Sequence, residues 1–363
     1  QGVSSAASDV YKRQMYGAAD KWLSWLPGGL MNSNIGASAL FSATSGSSVA
    51  TAATISTIAL PEQERKGYPA PLFLGSIAAG GTLGILIPPS INMILFALIA
   101  NLSVPKLYLA ATIPGLLLCV MFVAMIVITC MIWPKLGGTR QHATWAERLA
   151  SIPDLLPPMA IFVLVVGAIY SGFATASESA ALGVLAAFGL GLLRRTFTWQ
   201  NLGQAFESTM RTSGMIIFIT LSAFFLNFVL SAIGLTPALV SFITGLELSP
   251  MATLLAIILF YIILGCFMDT LAMLITTAPL VVPVIVALGF DPLWFGVILI
   301  ILCELGQITP PFGMNLFVVQ SIRNKGNFME VIMGVLPFCF VLLLLIALLI
   351  LFPALALWLP QFA

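Results

Sequence analysis

The stretch GGTLGILIPPSINM, residues 80–93, limits what this chain can fold into more sharply than any other. It lies within an apolar run suited to a membrane helix, yet it carries three glycines and two adjacent prolines. Proline lacks a backbone N–H and its ring clashes with the preceding turn, so Pro88-Pro89 leaves carbonyls free near Gly84 to Ile87. In hydrocarbon each unsatisfied backbone group costs several kcal/mol. Such a break persists only where something else satisfies those groups.

The rest of the chain says that the solvent is hydrocarbon. Of 363 residues, 60% are hydrophobic and 7% charged, where a soluble domain has about a quarter charged. Apolar runs near the ~20 residues that cross a bilayer recur throughout, so the reading is an all-α polytopic membrane protein in contact with lipid. The net charge of +1 and the lack of a basic stripe with interleaved aromatics give no sign of a nucleic-acid partner. Cys119, Cys130, Cys266, Cys303 and Cys339 are scattered through apolar segments and read as small buried hydrophobes. One histidine, His142 in a polar loop, leaves almost nothing from which to build a zinc site or a Ser/His nucleophile, so no enzyme is expected. Residues 1–14, QGVSSAASDVYKRQ, lack the apolar core of a signal peptide. They read as a non-native leader and are set aside from fold reasoning.

Basic loops at 61–71, 134–154, 194–211 and 323–327 hold ten of the fourteen Lys and Arg. Breaks at 101–106, 171–177, 244–250 and 289–292 hold one, Lys106. By the positive-inside rule the first group is cytoplasmic and the second lies on the opposite side. Residues 107–133, 156–171, 178–193, 213–231 and 330–355 then each cross once. So do 72–100 and 293–321, although Gly84 with Pro88-Pro89 and Gly306 with Pro310-Pro311 interrupt them. Two stretches, 28–60 and 251–288, are too long for one helix and have both flanks on one side. They read as re-entrant hairpins with tips at 42–51 (SATSGSSVAT) and 265–270 (GCFMDT). The expected organisation is a first repeat over 15–133, a cytoplasmic linker over 134–155, and a second repeat over 156–363 that opens with scaffold helices across 156–231.

Hairpin followed by broken crossing thus occurs twice, with the shared pattern Leu-Gly-x-x-x-Pro-Pro at Leu83–Pro89 and Leu305–Pro311. The first hairpin opens from the cytoplasm and the second from outside, which makes the halves inverted repeats, a transporter arrangement. A proline kink packed on a neighbour is the simpler reading of one such site. Two matching breaks, each after a hairpin with a small polar tip, point instead to ion coordination. Freed carbonyls suit a hard cation such as Na⁺, and half-helix N-termini favour an anionic substrate. The first tip adds the hydroxyls of Ser42, Thr44, Ser45, Ser47, Ser48 and Thr51, more than back-bonding to the preceding turn requires.

These residues also carry a family resemblance. PGGL, SGSSVATAATI, PEQERKGY and GTLGILIPPS, in that order, resemble the large membrane subunit of TRAP (tripartite ATP-independent periplasmic) transporters, the DctM-like family. SGFATASESAALGVL resembles that family's T-x-T-E-A-A segment, with Ala176 and Ser177 where Pro and Thr are usual, and GQITPPFGMNLFVV resembles its second-half signature. The resemblance runs from about residue 15 to the C-terminus. Family members begin with roughly two further scaffold helices, so the chain reads as N-terminally truncated. The resemblance implies a Na⁺-coupled elevator transporter of organic acids in the bacterial inner membrane, working with a small four-helix membrane subunit and a periplasmic substrate-binding protein. It implies one sodium site at Ser42, Ser45, Gly84, Ile87 and Pro88, and another at Gly265, Gly306 and Thr309. Substrate would lie between the tips near Ser47, Asn92, Asp269, Thr270 and Asn315.

Three carboxylates fall in or beside membrane segments. Asp269 at the second tip reads as functional, because an ionised group at that depth is expensive, with capping of the following half-helix as a compatible role. Glu178 stands three residues after Thr175, the spacing of a capping box. Glu304 precedes the second break and reads as an outer carboxylate of that site. A channel is the competing class, since broken helices also line pores. An intramembrane enzyme lacks a base. The transported acid is not legible, and sialic acids, C4-dicarboxylates, keto acids and sugar acids stay open.

Overall fold

The computed structural model describes residues 2–138, 143–193, 198–245 and 248–362. His142 lies outside the described residues, as does the side chain of Thr44. Every regular element among the described residues is helical. The first half runs α1 (Gly2–Leu23), α2 (Leu30–Ser45), α3 (Ser48–Lys66), α4 (Ala70–Leu86), α5 (Ile91–Ile99) and α6 (Val104–Ile132). A short α7 (Trp145–Ala150) precedes α8 (Ile152–Tyr170), α9 (Ala176–Leu193), α10 (Trp199–Ala232) and α11 (Leu235–Gly245). The second half continues with α12 (Pro250–Gly265), α13 (Thr270–Ala287), α14 (Pro292–Ile308), α15 (Met314–Arg323), α16 (Phe328–Leu351) and α17 (Ala354–Leu357). Among the described residues six helices are long and apolar enough to cross a membrane, or seven if the bent pair α4–α5 counts as one span.

The two interrupted helices form the centre. Residues 72–86 of α4 and 294–308 of α14 are buried without exception, and the two helices touch each other. The hairpin α2–α3 packs on α4, and the hairpin α12–α13 packs on α14. The halves also interlock: α15 lies on α3, and α5 lies on α13. Lipid tails are as apolar as leucine, so helices in a membrane associate through close packing, which small residues permit. The tightest crossing is α4 on α16. A Cβ on Gly75 would strike the Gly334 carbonyl, and one on Gly334 would strike the carbonyl of Pro71. Phe122 of α6 meets Phe338 of α16 edge to face at 5.4 Å between ring centres, closing the other side of α16.

Polar contacts gather the basic loops. Lys325 pairs with Glu64, bringing 323–327 onto the end of α3. Lys66 pairs with Asp20 of α1 at 3.5 Å, and Trp22 of α1 packs edge-on against Trp145 of the linker. Three of the four basic loops therefore share one end of the molecule. At the other end Asn101 shares a cavity with Val286 and Ala287, so the 101–106 and 289–292 breaks adjoin there.

Several elements differ from the sequence-based expectation. Residues 2–14, set aside as a leader, are helical and continuous with 15–23. The loop expected over 194–211 is helical from Trp199, because Thr198 caps it by accepting from Asn201 N–H (3.1 Å). Glu207 and Arg211 pair along it at 3.4 Å, a spacing that supports an exposed amphipathic turn. The linker contains α7, started by a capping box in which Thr144 and Glu147 exchange hydrogen bonds. Those bonds hold the Glu147 carboxyl below the usual carboxylate range. Residues 235–245, most of which fall between the 213–231 crossing and the 244–250 break and carry no assignment from sequence, form α11. The scaffold helices α9 and α10 bury almost none of their apolar surface, leaving Val184, Leu185, Phe218, Phe225 and Phe228 exposed.

Candidate ion and substrate site

At the first tip α2 ends at Ser45, Gly46 turns the chain in the left-handed region (φ 59°), and Ser47 caps α3 by accepting from Ala50 N–H. The hydroxyls of Ser45 and Thr51 are 2.8 Å apart, and Thr51 also donates to the Ser47 carbonyl at 2.8 Å. This knot sits on Gly84. A Cβ there would lie 2.5 Å from the Ser47 carbonyl oxygen and 2.8 Å from the Thr51 hydroxyl. On the far side of the tip, a Cβ on Gly46 would meet the Pro89 carbonyl at 2.9 Å. The structure thus brings Ser45, Ser47, Gly84 and the Pro88-Pro89 break together. Ser42 is buried on the same hairpin, with its hydroxyl donating to the Ser38 carbonyl at 2.5 Å.

The break itself frees acceptors. The carbonyls of Gly84 and Ile85 would pair four residues on with Pro88 and Pro89, which carry no N–H. Leu86 would pair with Ser90, but the Ser90 N–H goes to Tyr108 Oη of α6 (3.2 Å), which in turn donates to the Ser90 carbonyl (3.3 Å). Ile87 marks the end of α4, and its N–H bonds to Leu83. Ser90 then caps α5, accepting from Met93 N–H.

The second tip uses different parts. Gly265 ends α12 directly against α14, and a Cβ on Gly306 would lie 2.8 Å from Gly265 Cα and 2.9 Å from its carbonyl oxygen. Asp269 caps α13, accepting from Leu271 N–H at 3.1 Å. Thr270 accepts from Gln307 Nε2 at 3.4 Å, which ties tip to break. Four residues beyond the Gly306 and Gln307 carbonyls stand Pro310 and Pro311, again without N–H, and Gly306 retains a long bond from Thr309 N–H (3.4 Å). The Thr309 hydroxyl donates back to Leu305 at 2.6 Å. Gly265, Gly306 and Thr309 are therefore grouped around this break.

Of the residues expected to face substrate, Ser47 and Asp269 begin equivalent half-helices, and Thr270 adjoins Gln307. Asn315 reaches across to the first half, donating to Ser48 Oγ (2.9 Å) and to the Ala78 carbonyl of α4 (3.1 Å). Asn92 is buried at the start of α5 with its amide nitrogen unpartnered, and no hydrogen bond from that nitrogen joins it to either tip. Gln307 and Tyr108 were not anticipated. Gln307 had a visible signal, a polar side chain in an otherwise apolar run, whereas nothing in the sequence sets Tyr108 apart from other aromatic residues. Glu178 accepts from Thr175 N–H (2.8 Å) while Thr175 Oγ accepts from Glu178 N–H (3.3 Å), a complete capping box at the start of α9.

The oxygens at both breaks are neutral carbonyls and hydroxyls, a set suited to a small alkali cation. Four half-helices, α3, α5, α13 and α15, start at the tips or just past the breaks, and their N-termini carry partial positive charge. Apolar helices of membrane-spanning length, with hairpins that end on broken helices, define a multi-pass all-α membrane protein.

The chain belongs to the DctM-like large permease family: the family model described as "Tripartite ATP-independent periplasmic transporter, DctM component" matches residues 7–355. The match begins within the segment set aside as a leader. The C4-dicarboxylate TRAP transporter large permease protein DctM of Pseudomonas aeruginosa is 33% identical over 350 residues, covering 96% of this chain and 81% of that protein. The sialic acid TRAP transporter large permease protein of Vibrio cholerae is 31% identical, with 96% and 81% covered. The ectoine TRAP transporter large permease protein of Halomonas elongata is 31% identical, with 93% and 79% covered.

Proposed function

We propose that this chain is the large subunit of a sodium-coupled importer that carries small organic acid anions across the bacterial inner membrane. It works with a small four-helix membrane subunit and a periplasmic substrate-binding protein that delivers the acid. The observation that carries this reading is the pair of tip-on-break contacts, Ser47 and Thr51 on Gly84, and Gly265 on Gly306. In each, a hairpin end packs on a helix end from which proline has removed backbone donors. Sodium held at Ser42, Ser45, Gly84, Ile87 and Pro88, and at Gly265, Gly306 and Thr309, completes those groups and neutralises the site for an anion. The acid lies between the tips, where helix N-termini and the side chains of Ser47, Asn92, Asp269 and Thr270 select its polar groups, while Asn315, buried on Ser48 and Ala78, ties the two halves together behind it. Asp269 is itself an anion, so it faces a hydroxyl or ammonium of the substrate or a bound cation. Relatives are named for C4-dicarboxylate, sialic acid and ectoine, which fits a small polar acid without choosing one. Both hairpins and both breaks move as one body in an elevator mechanism, because α15 rests on α3 and α5 on α13.

Each sodium moved inward is worth about 2.3 kcal/mol per 100 mV, so accumulation must follow both the gradient and the potential. The test is uptake of radiolabelled candidate acids into vesicles holding the large subunit with its small subunit and binding protein. Uptake should stop when the sodium gradient is dissipated. Passive conductance without sodium dependence would replace this reading with a channel, and full uptake by the large subunit alone would remove the partners. Orientation is tested separately in a cysteine-free background, where a cysteine at Asp291 should label from the periplasm and one at Asn324 from the cytoplasm. Labelling of both from one side would end the inverted-repeat arrangement.

A further inference from the structure

Between the two breaks lies a group of oxygens that neither break uses. Glu304, on α14, is fully buried, and neither carboxylate oxygen has a hydrogen-bond partner. Asn315, also fully buried, spends its amide nitrogen on Ser48 and Ala78 and leaves its Oδ1 unpartnered. Ser48, buried at the first turn of α3, stands beside both: its hydroxyl accepts from Asn315 and adjoins the Glu304 carboxylate. The Ser48 hydroxyl carries a single proton, so it cannot satisfy Asn315 Oδ1 and both carboxylate oxygens at once, and buried charge is retained only where it is paired. The charged side chain that acts on Glu304 is Asp269, another anion. An organic acid anion would be repelled here, and the complete burial of Glu304 and Asn315 suits a bare ion better than an organic group.

We infer that Glu304, Asn315 Oδ1 and Ser48 Oγ form a further sodium site, distinct from the two at the breaks. It rests on the sodium-coupled reading above. The occupant would join the start of α3, from the first hairpin, to residues on either side of the second break, so that one ion ties the two halves together.

The experiment is a reversal-potential measurement of sodium carried per substrate in vesicles containing the complete three-component transporter. The wild type should move three sodium ions per substrate. Glu304→Gln keeps the side-chain shape and removes the charge, so it should fold and move two, with a shallower sodium activation curve. Ser48→Ala should raise the sodium concentration needed for half-activation about ten-fold. A second readout is independent of transport: sodium should protect the purified complex from heat, and Glu304→Gln should need about ten-fold more sodium for equal protection. If Glu304 is simply an uncharged acid, glutamine is its equivalent, and an unchanged ion count and unchanged protection would overturn the site. A wild type that moves two sodium ions would overturn it whether or not the variants can be purified. Wild-type uptake that ignores sodium would overturn the coupled reading and this site together, whereas sodium-coupled uptake with two ions would overturn this site alone.

Discussion

At the first break Gly84 lies under a serine carbonyl and a threonine hydroxyl, and a tyrosine from α6 holds the chain just past the prolines. At the second, Gly306 lies flat on the backbone of Gly265, and a glutamine on the broken helix reaches the tip. Ser47 with Asp269, Ser48 with Thr270, Gly84 with Gly306 and Pro88 with Pro310 all fall at one constant spacing. The two sites therefore share a backbone plan and differ in the side chains that finish it. In the first, hydroxyls add ligands and a neighbouring helix supports the break. In the second, main chain alone makes the close contact.

The most damaging change should be one that attacks the shared plan. Alanine at Gly84 or Gly306 places a Cβ within 2.5 to 2.9 Å of main-chain atoms that cannot swing away. Overpacking of this kind costs about 1–3 kcal/mol, so sodium half-activation should rise by up to roughly a hundred-fold for either variant. If one alanine is tolerated, the equivalence of the two breaks fails. Next in size, replacing Pro88 and Pro89 together, or Pro310 and Pro311 together, with alanine should let the helix close and reclaim its carbonyls. Losing about one contact to an ion, roughly 1.5 kcal/mol, predicts about ten-fold weakening of sodium activation at both breaks. An unchanged sodium dependence in reconstituted vesicles would mean that the prolines only kink the helix.

The smaller effects should separate the two sites. Tyr108→Phe leaves the buried Ser90 N–H unsatisfied, which costs about 1–3 kcal/mol, while the Ser90 carbonyl keeps the Ile94 N–H. It should lower the melting temperature of the purified protein and weaken sodium activation several-fold. Adding it to the Pro88/Pro89 variant should cost little more, while adding it to the Pro310/Pro311 variant should multiply the loss. Ser45→Ala removes one hydroxyl partner of Thr51 and should weaken activation by about ten-fold or less. Ser222→Ala, at an exposed hydroxyl that bonds only its own helix, should leave activation unchanged, and an equal effect of the two would deny the first tip its ligand role.

Legibility followed the physics of each feature. The breaks were readable because proline acts locally: Pro88-Pro89 and Pro310-Pro311 stop α4 and α14 whatever surrounds them. The polar tips were readable because hydroxyls and an aspartate stand out in apolar runs. The N-terminal part of α10 was not, since Trp199–Arg211 mixes polar and apolar residues as a loop does, and only the cap at Thr198 and the Glu207–Arg211 pair reveal a helix. Tyr108 and Asn315 act across long sequence separations, on Ser90 and on Ser48 and Ala78, so their roles needed the packing. Glu304 was conspicuous as a charge, but that its neighbours are a serine and another carboxylate became visible only once the packing was in place.

The crossing of Gly75 on Gly334 sets an order of assembly. At about 5–20 residues per second of synthesis, the segment bearing Gly75 leaves the ribosome on the order of ten to fifty seconds before its partner exists. Through that interval the glycine surface of α4 is covered by lipid or by the insertion machinery, and the first break has no wall behind it. A ribosome stalled before residue 328 would leave the first half without its backing, while α12, α13 and α14 already had one another. The part of the molecule that is made first is thus completed last.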